Sequence, residues 1–220
     1  MDDCVKQHYD VIIATPGREI DADYVKSLLS TIRVLNEKGI SYHWANGQST
    51  IVHVAREKTL ADELAVKTEI LDGVSYNKIF WIDSDIVWEP EDFLEIYNSD
   101  KDMVSGCYIT ANEMNVAAFK EPLGLMLTKT MIDTLGSRHV RVGAVGMGFL
   151  AIKQGIYESM NRPWFGSVDI PYTDVNGDEK IWHCMSEDIA WCYKATQMGY
   201  ELWLDTQVKV GHMKRRIIEF

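Results

Sequence analysis

The chain has 220 residues, 46% of them apolar, which suits one large domain or two small ones. A formal charge of −11 and a sequence pI near 5.0 exclude a broad basic surface for nucleic acid. No apolar run is long enough to cross a bilayer, and no signal-peptide core follows the acidic first residues. We therefore expect a single domain without a nucleic-acid partner or a transmembrane segment.

The cysteines and the basic residues give little sign of a special environment. Four cysteines are spread along the chain without a C-x-x-C pair, which favours reduced thiols and a cytoplasmic location; they are Cys4, Cys107, Cys184 and Cys192. The one basic cluster, Lys214-Arg215-Arg216, is interpreted as a solvated tail.

Strand and helix patterns alternate through the first hundred residues. Residues 9–14 form a β-branched run that ends at Thr15-Pro16-Gly17, which predicts a buried strand followed by a loop. The next segment predicts a helix ending near Gly39, with helically spaced apolar residues Val25, Leu28, Leu29, Ile32 and Leu35. A second strand over 40–47 and a third over 77–84 flank another predicted helix.

That second helix is predicted over about 50–68. The residues expected to face inward are Ile51, Val54, Ala55, Leu64 and Ala65. The resulting β-α-β-α-β order predicts a mainly parallel sheet, and ligands of such sheets bind outside the carboxyl ends of the strands. Two segments fall at those ends, Thr15-Pro16-Gly17-Arg18 and Asp83-Ser84-Asp85. Glycine-rich dinucleotide and P-loop signatures do not occur in the sequence.

The stretch FWIDSDIVWEP, residues 80–90, places two carboxylates directly after a buried run. A period of two along the strand points Asp83 and Asp85 to the same side. Because two close carboxylates repel each other unless a cation lies beside them, the pattern suggests a metal site. A D-x-D pair by itself is also common in ordinary turns.

The second half predicts a short helix at 91–97 and then mostly strands. A run over 140–152 is rich in glycine, which marks a bulge or a close backbone approach to a ligand. Residues 168–183 predict a hairpin turning at Asn176-Gly177, and this interpretation is favoured over a calcium loop. A helix over 186–199 has Ser186 as its N-cap, and a strand pair ends at His212. The inward positions expected in that helix are Ile189, Ala190, Tyr193 and Met198.

Each polar candidate also has an ordinary structural explanation. Glu187 and Asp188 in a first helical turn stabilise the helix dipole without further function. His212 alone is more often a core or surface histidine than a ligand. Arg56 on the second helix has Glu57 and Asp62 as possible surface partners. Their order along the chain is more informative than any one of them.

In that order, the chain resembles the glycosyltransferases of the GT-A fold, in particular family-2-like inverting enzymes. The segments that carry the resemblance run from Val11 to His212: VIIATPGR, VAREKTLADEL, FWIDSDIVW, VGMGFLAIKQGIYE, SEDIAWCYKATQMGYELWLD and VGH. The compact size also resembles small soluble domains of large DNA viruses and phages, which implies the host cytoplasm as location.

The resemblance implies an α/β single domain over 1–220, with a mixed, mainly parallel sheet flanked by helices. A nucleotide-binding half would cover about 9–100 and an acceptor-binding half about 101–212. It implies transfer of a sugar from a nucleoside diphosphate, most simply a UDP-sugar, to a hydroxyl of a glycan or other acceptor. A divalent ion that neutralises the departing diphosphate fits oxygen and imidazole ligands, which favours Mn²⁺ over Mg²⁺.

For the metal, the resemblance assigns Asp85 and His212 as ligands, with Asp83 facing the ribose or a metal-bound water. Thr15 and Pro16 would line the base and ribose, next to Arg18 and Ser84. Arg56 would approach the nucleotide or the diphosphate.

For the transfer step, the resemblance assigns Asp188 as the base, with Glu187 binding the acceptor or orienting its neighbour. Backbone groups of Gly146, Met147 and Gly148 would face the donor sugar. Trp164 and Trp182 are expected to be core aromatics rather than sugar-stacking platforms.

Two other functions stay open at this point. One is a nucleotide-sugar or carbohydrate-binding module that kept the fold without the chemistry. The other is a sugar nucleotidylyltransferase, which would need a more glycine-rich and basic loop than ATPGREID, residues 14–21. The segment from Ala111 to Pro122 matches no part of the family pattern.

Overall fold

A computed structural model of the chain describes residues 7–61, 69–110, 113–121, 124–174 and 176–214. The helices are α1 (Ala22–Glu37), α2 (Val52–Leu60), α3 (Pro90–Asn98), α4 (Lys129–Thr134) and α5 (Glu187–Gln197), with a 3₁₀ turn at Ile70–Gly73. The strands are β1 (His8–Pro16), β2 (Tyr42–Gly47), β3 (Ser75–Ile82), β4 (Ile86–Val87), β5 (Met103–Cys107), β6 (Asn115–Phe119), β7 (Met126–Thr128), β8 (His139–Arg141), β9 (Ala144–Val145), β10 (Phe149–Lys153), β11 (Val168–Thr173), β12 (Glu179–Cys184), β13 (Leu202–Lys209) and β14 (Gly211–His212).

A seven-stranded central sheet has the order β2-β1-β3-β10-β5-β13-β8. Strands β2, β1, β3, β5 and β13 run parallel, whereas β10 and β8 run antiparallel to their neighbours. The mixed, mainly parallel sheet is thus confirmed. The carboxyl ends of β1, β3, β5 and β13 therefore meet at one edge of the sheet.

Both faces of the sheet are covered, as the apolar runs predict. Val11 and Ile13 face the core under α1 and α3, while Ile12 and Ala14 face the opposite core with α2 and α5. This alternation of side chains follows the period of two along a strand. In the described ranges every helix is too short or too polar to span a bilayer.

Helix α1 buries a different stripe from the one its apolar residues suggest. Val25 and Leu29 are exposed, and the buried residues include the polar Ser27 and Thr31. Both hydroxyls face inward because they bond Trp88: its backbone N–H donates to Ser27 Oγ at 3.1 Å, and its Nε1 to Thr31 Oγ1 at 2.9 Å. Satisfying a buried indole outweighs the burial of two more aliphatic side chains.

Helix α2 is shorter than predicted, because Ala61 is already extended and only its N–H still bonds the helix, at Glu57 O. Ala55 is buried and Val54 partly so, but Ile51 precedes the first helical turn and is exposed. Leu64 and Ala65, expected to face inward, lie outside the described residues, as do Cys4, Arg215 and Arg216.

The second half contains the predicted hairpin, formed by β11 and β12. The glycine-rich run does not form one strand: it is divided among β8, β9 and β10, which belong to two different sheets. Helix α5 buries Ile189 and Ala190 as predicted and leaves Tyr193 partly buried. Met198 is exposed because the helix ends one residue before it.

Candidate active site

The D-x-D residues leave the sheet in a tight turn after β3. Ile86 N–H donates to Asp83 O at 3.0 Å, and the chain then continues into the short strand β4. Strand β4 pairs with β14, so that Ile86 lies opposite His212. This pairing brings the last described strand of the chain to the D-x-D turn.

Asp85 and His212 consequently meet at the sheet edge. His212 Nε2 lies 3.2 Å from Asp85 Oδ2, and Lys214 Nζ lies 3.2 Å from the same oxygen. His212 Nδ1 lies 2.8 Å from the carbonyl oxygen of Ile109, so Nδ1 carries the proton and donates it. In the neutral ring the Nε2 lone pair therefore points toward Asp85, which is the tautomer that a metal ligand needs.

Asp85 and His212 each favour the charged form of the other. Burial raises the pKa of Asp85, but the hydrogen bonds and charges of His212 and Lys214 outweigh it and lower the pKa below the usual aspartate value. Burial lowers the pKa of His212, but the contacts with Asp85 and with Ile109 O outweigh it and raise the pKa. These cationic neighbours favour the ionised form of the Asp85 carboxylate.

These residues fit a divalent ion that also binds substrate. Across the described parts of the chain, no three His, Cys, Asp or Glu side chains converge as a ready-made metal site. Asp85 and His212 supply one oxygen and one nitrogen, which suits an ion whose other ligands are phosphate oxygens and water. The third residue assigned to the metal, Asp83, lies in a separate ion pair.

That ion pair centres on Arg56, whose side chain is 3% exposed. Its Nη2 lies 3.0 Å from Asp83 Oδ1, and its Nε donates to Glu187 Oε1 at 3.1 Å. The guanidinium carbon lies 5.3 Å from the centroid of the Trp81 ring, and Nη1 is buried without a hydrogen-bond partner among the described residues. Arg56 is therefore not a surface residue: it joins the D-x-D turn to the first turn of α5.

Asp188 lies beside this cluster and is held by its own helix end. Its Oδ1 accepts hydrogen bonds from Ser186 Oγ and, at 2.8 Å, from Ile189 N–H. Burial, reinforced by the charge of Glu187, raises the pKa of Asp188 above the usual aspartate value. Oδ2 makes no hydrogen bond to a described residue and is left to accept a proton.

The end of β1 and the loop that follows it lead to the D-x-D turn, where Asp21 N–H donates to Ser84 O at 3.0 Å. Thr15 is fully buried, and its hydroxyl bonds Tyr24 Oη and accepts from Trp44 Nε1 at 3.1 Å. Pro16 is buried and Arg18 exposed. A cavity of about 360 Å³ opens beside this loop, lined by Glu19, Asp21, Ser84, Asp85, Met213 and Lys214. It is large enough for part of a nucleotide and borders the Asp85 carboxylate.

The residues Gly146, Met147 and Gly148 are all buried. Gly146 N–H donates to Ala117 O at 2.8 Å, and Gly148 N–H to Tyr108 Oη at 3.0 Å. These two backbone donors thus already have partners within the protein. Trp164 is fully buried and Trp182 packs against the core, as predicted for core aromatics.

A larger cavity of about 640 Å³ lies on the outer side of α2. It is lined by His53, Val54, Glu57, Lys58, Arg162, Pro163, Phe165, Gly166, Ser167, Met185 and Lys194. Neither Asp85 nor Asp188 lines it, so the chemistry is better placed at the smaller cavity and the cluster around Arg56.

Known structures match this chain over nearly its whole length. A197 from STIV aligns with a TM-score of 0.51 at 15% identity, covering 97% of both chains. GalNAc-T7, crystallised with UDP, GalNAc and Mn²⁺, aligns with a TM-score of 0.52 at 12% identity, covering 97% of this chain and 45% of that one. The fold is GT-A-like. No protein-family profile and no curated protein sequence matches the chain.

With the GT-A-like arrangement in view, two site residues were missed by the sequence pattern. Tyr108 follows the apolar strand β5 at the same sheet edge as Asp83, a position that its place in the run DMVSGCYIT, residues 102–110, would have indicated. Lys214 follows His212 by two residues, within the basic cluster that was interpreted as a solvated tail.

Proposed function

We propose that this protein is a metal-dependent, inverting glycosyltransferase that moves a sugar from a nucleoside diphosphate, UDP in the first instance, to an acceptor hydroxyl. The observation that carries the proposal is the meeting of Asp85 and His212 at the sheet edge, with the histidine tautomer set by Ile109 O. A carboxylate oxygen and an imidazole nitrogen oriented in this way are suitable ligands for Mn²⁺, or for Mg²⁺. The GalNAc-T7 structure of the same fold, which holds UDP and Mn²⁺, supports this choice.

In the proposed donor half, the loop after β1 and the D-x-D turn enclose the nucleotide. Ser84 and Asp85 line the cavity with Glu19 and Asp21, whereas Thr15 and Pro16, which the resemblance placed at the base and ribose, are buried and do not line it, and neither does the exposed Arg18. Asp85 and His212 hold the divalent ion, which when bound neutralises charge on the departing diphosphate. Lys214, already beside Asp85, adds a positive charge at the same place.

In the proposed acceptor half, Asp188 removes the proton of the acceptor hydroxyl. Its pKa is raised by burial and by Glu187, so the carboxylate is a stronger base than a solvated aspartate. Ser186 and Ile189 hold one carboxylate oxygen and leave the other for the acceptor proton. Arg56 keeps Glu187 in place and at the same time holds Asp83.

Thermal unfolding with UDP, GDP, CDP and dTDP, each with Mn²⁺, Mg²⁺ or EDTA, tests the donor site. A nucleotide at a hundredfold over its dissociation constant adds about 2.7 kcal/mol to the free energy of unfolding. We expect one nucleotide to stabilise only with metal, and Asp85→Ala to remove that shift. Asp100→Ala is the matched control, because Asp100 is an exposed carboxylate outside the site.

Transfer is then tested with the UDP-sugar whose nucleotide stabilises the protein, and the product anomer is assigned by NMR. An inverted anomer supports attack by the acceptor in a single displacement, whereas a retained anomer rejects it. Metal-dependent binding without transfer to any acceptor would favour the binding module. Unchanged metal-dependent affinity in Asp85→Ala would remove Asp85 from the metal site.

A further inference from the structure

Tyr108 contacts His212 without having a part in the proposed chemistry. It follows β5 directly and is 7% exposed. Its ring meets the His212 ring edge-on, with centroids 5.4 Å apart. The next residue, Ile109, supplies the carbonyl that holds His212 Nδ1, so the segment 108–109 contacts the metal-side histidine twice.

Two glycines make room for this ring. A Cβ added to Gly146 would overlap the Tyr108 hydroxyl oxygen, and one added to Gly148 would lie 2.7 Å from Cζ. Real Cβ contacts are not this short, so both positions need glycine as long as the tyrosine is there. The ring is thereby held in one position, as a ligand-binding side chain should be.

The phenol has one hydrogen-bonding function left over. Its oxygen accepts from Gly148 N–H at 3.0 Å, and no residue in the described part of the chain accepts its proton. Gly148 O in turn accepts from Asp83 N–H at 3.1 Å, which places the hydroxyl near the start of the D-x-D turn. A buried donor without an acceptor is costly, and one at a substrate site indicates a missing substrate atom.

The charges around the phenol keep it a donor. Burial, together with the negative charges of Asp83 and Asp188, raises the pKa of Tyr108 well above that of free tyrosine. A tyrosine hydroxyl is protonated at neutral pH without any such shift, so its O–H can donate to an oxygen. It also lies within the influence of the D-x-D carboxylate and of the proposed base at the same time.

We propose that Tyr108 binds the transferred sugar and that its phenol O–H donates a hydrogen bond to a hydroxyl oxygen of that sugar. The proposal rests on the proposed function, because in a single displacement the sugar lies between the diphosphate and the base. Tyr108 suits that position, because its ring contacts His212 and its hydroxyl accepts from Gly148 N–H, whose own carbonyl accepts from Asp83 N–H. The nucleotide cavity, by contrast, is not lined by Tyr108.

The test compares Tyr108→Phe with the wild type by calorimetric titration in the presence of Mn²⁺. The probes are UDP alone, UDP-glucose, UDP-galactose and UDP-N-acetylgalactosamine. We expect UDP affinity to be unchanged and affinity for the best-bound UDP-sugar to fall roughly tenfold, the effect of one neutral hydrogen bond. Tyr76→Phe is the control, because Tyr76 is an equally buried tyrosine whose hydroxyl bonds Glu158 at 2.7 Å.

Equal losses for UDP and the UDP-sugar, or no loss for either, would overturn the assignment. Wild-type protein that binds none of the four probes would instead reject the proposed donor site. Monodeoxy derivatives of the best-bound UDP-sugar give a measurement on the wild type that does not depend on how well the variant folds. One derivative should lose about the same roughly tenfold affinity and lose nothing further in Tyr108→Phe. If every derivative binds the wild type as tightly as its parent, Tyr108 donates to no sugar hydroxyl.

Discussion

Asp188 combines a raised pKa with a place at the start of α5. Because its pKa is higher in the folded protein than in the unfolded chain, folding favours the protonated form. The stability contributed by this group is fully present below the unfolded pKa near 3.8 and is lost as the pH rises through the folded pKa. At neutral pH the ionised Asp188 carboxylate therefore lowers the free energy of unfolding, and it is a stronger base than an ordinary aspartate.

Asp188→Asn should separate these two effects. The amide carries no charge, so the melting temperature at pH 7 should rise, and the difference from wild type should shrink as the pH falls toward 4. Metal-dependent nucleotide binding should stay, while transfer falls about 10²- to 10⁴-fold with the loss of the base. The measurements are thermal unfolding against pH, nucleotide titration and a transfer assay. Normal transfer in this variant would place the base elsewhere.

Arg56 is a buried cation between carboxylates from two distant parts of the sequence. Burial disfavours its charge, but Asp83, Glu187 and Asp188 outweigh this and raise its pKa. Removing only the cation leaves partly buried carboxylates without a counter-charge, which is costlier than removing the whole pair.

Arg56→Gln should therefore lower the free energy of unfolding by about 3–5 kcal/mol in urea denaturation. Adding Glu187→Gln should restore part of that loss, since one of the unpaired charges is then gone. Arg33→Gln serves as the control, because Arg33 is exposed on α1 and lies 4.0 Å from Glu37. A loss in Arg56→Gln no larger than in the control would show that the buried pairs contribute little.

At the scale of elements, the segment that leads into β10 packs against the ring of Tyr108. A Cβ added at Gly146 would overlap only the hydroxyl oxygen of Tyr108. Its next neighbours would be Tyr108 Cζ at 3.2 Å and Ala117 Cβ at 3.3 Å. A Cβ added at Gly148 would contact ring atoms of Tyr108 as well, with Cζ at 2.7 Å and Cε1 at 3.0 Å. The two glycines therefore differ in which part of the tyrosine requires them.

A double-mutant cycle tests this difference. Gly146→Ala should cost about 1–3 kcal/mol of unfolding free energy beside Tyr108, as overpacking does, and much less beside Tyr108→Phe. Gly148→Ala should stay destabilising in both backgrounds, because the phenyl ring still occupies its Cβ position. Chemical denaturation of the six proteins gives both interaction energies. Equal costs of Gly146→Ala in both backgrounds would contradict the packing described here.

The sequence predicts elements well where one period dominates. Strand β3, the hairpin of β11 and β12, and the start of α5 lie where their patterns place them. It fails where a side chain needs a partner far along the chain, as for α1, whose buried face is set by Trp88 rather than by its own leucines. The division of the glycine-rich run 140–152 between two sheets depends on tertiary pairing, so the sequence does not show it.

The site follows the same rule. The order of motifs predicts that Asp85 and His212 lie close together, and in the structure the two side chains are in contact. The contact of Arg56 with Glu187 links residues 131 apart, and no local pattern indicates it. The place of Tyr108 at the end of an apolar run indicates the sheet edge, but its packing against Gly146 and Gly148, between β9 and β10, is a long-range contact that the run does not show. Long-range pairing between ordinary residues leaves no periodic trace in a sequence.

At the scale of the whole molecule, the site is completed by β14. This strand pairs with β4 through two residues only, and Met213 N–H donates to Asp85 O at 2.8 Å. The central sheet does not use it. Ending the chain after Val210 should therefore leave a cooperative unfolding transition and abolish metal-dependent stabilisation by UDP.

Ending the chain after Lys214 is the matched control, since it keeps His212 and Lys214. Both truncated proteins are compared with the full chain by thermal unfolding with UDP, with and without Mn²⁺. A metal response that survives removal of residues 211–220 would show that the ion does not need His212.

The distance of 127 residues between Asp85 and His212 also has a meaning in time. A ribosome adds about 5–20 residues per second, so roughly 6 to 25 s pass between the synthesis of Asp85 and that of His212. During that interval the nascent chain can form β1 to β3 but cannot assemble the Asp85–His212 pair. The proposed metal site is therefore incomplete until synthesis has passed residue 212.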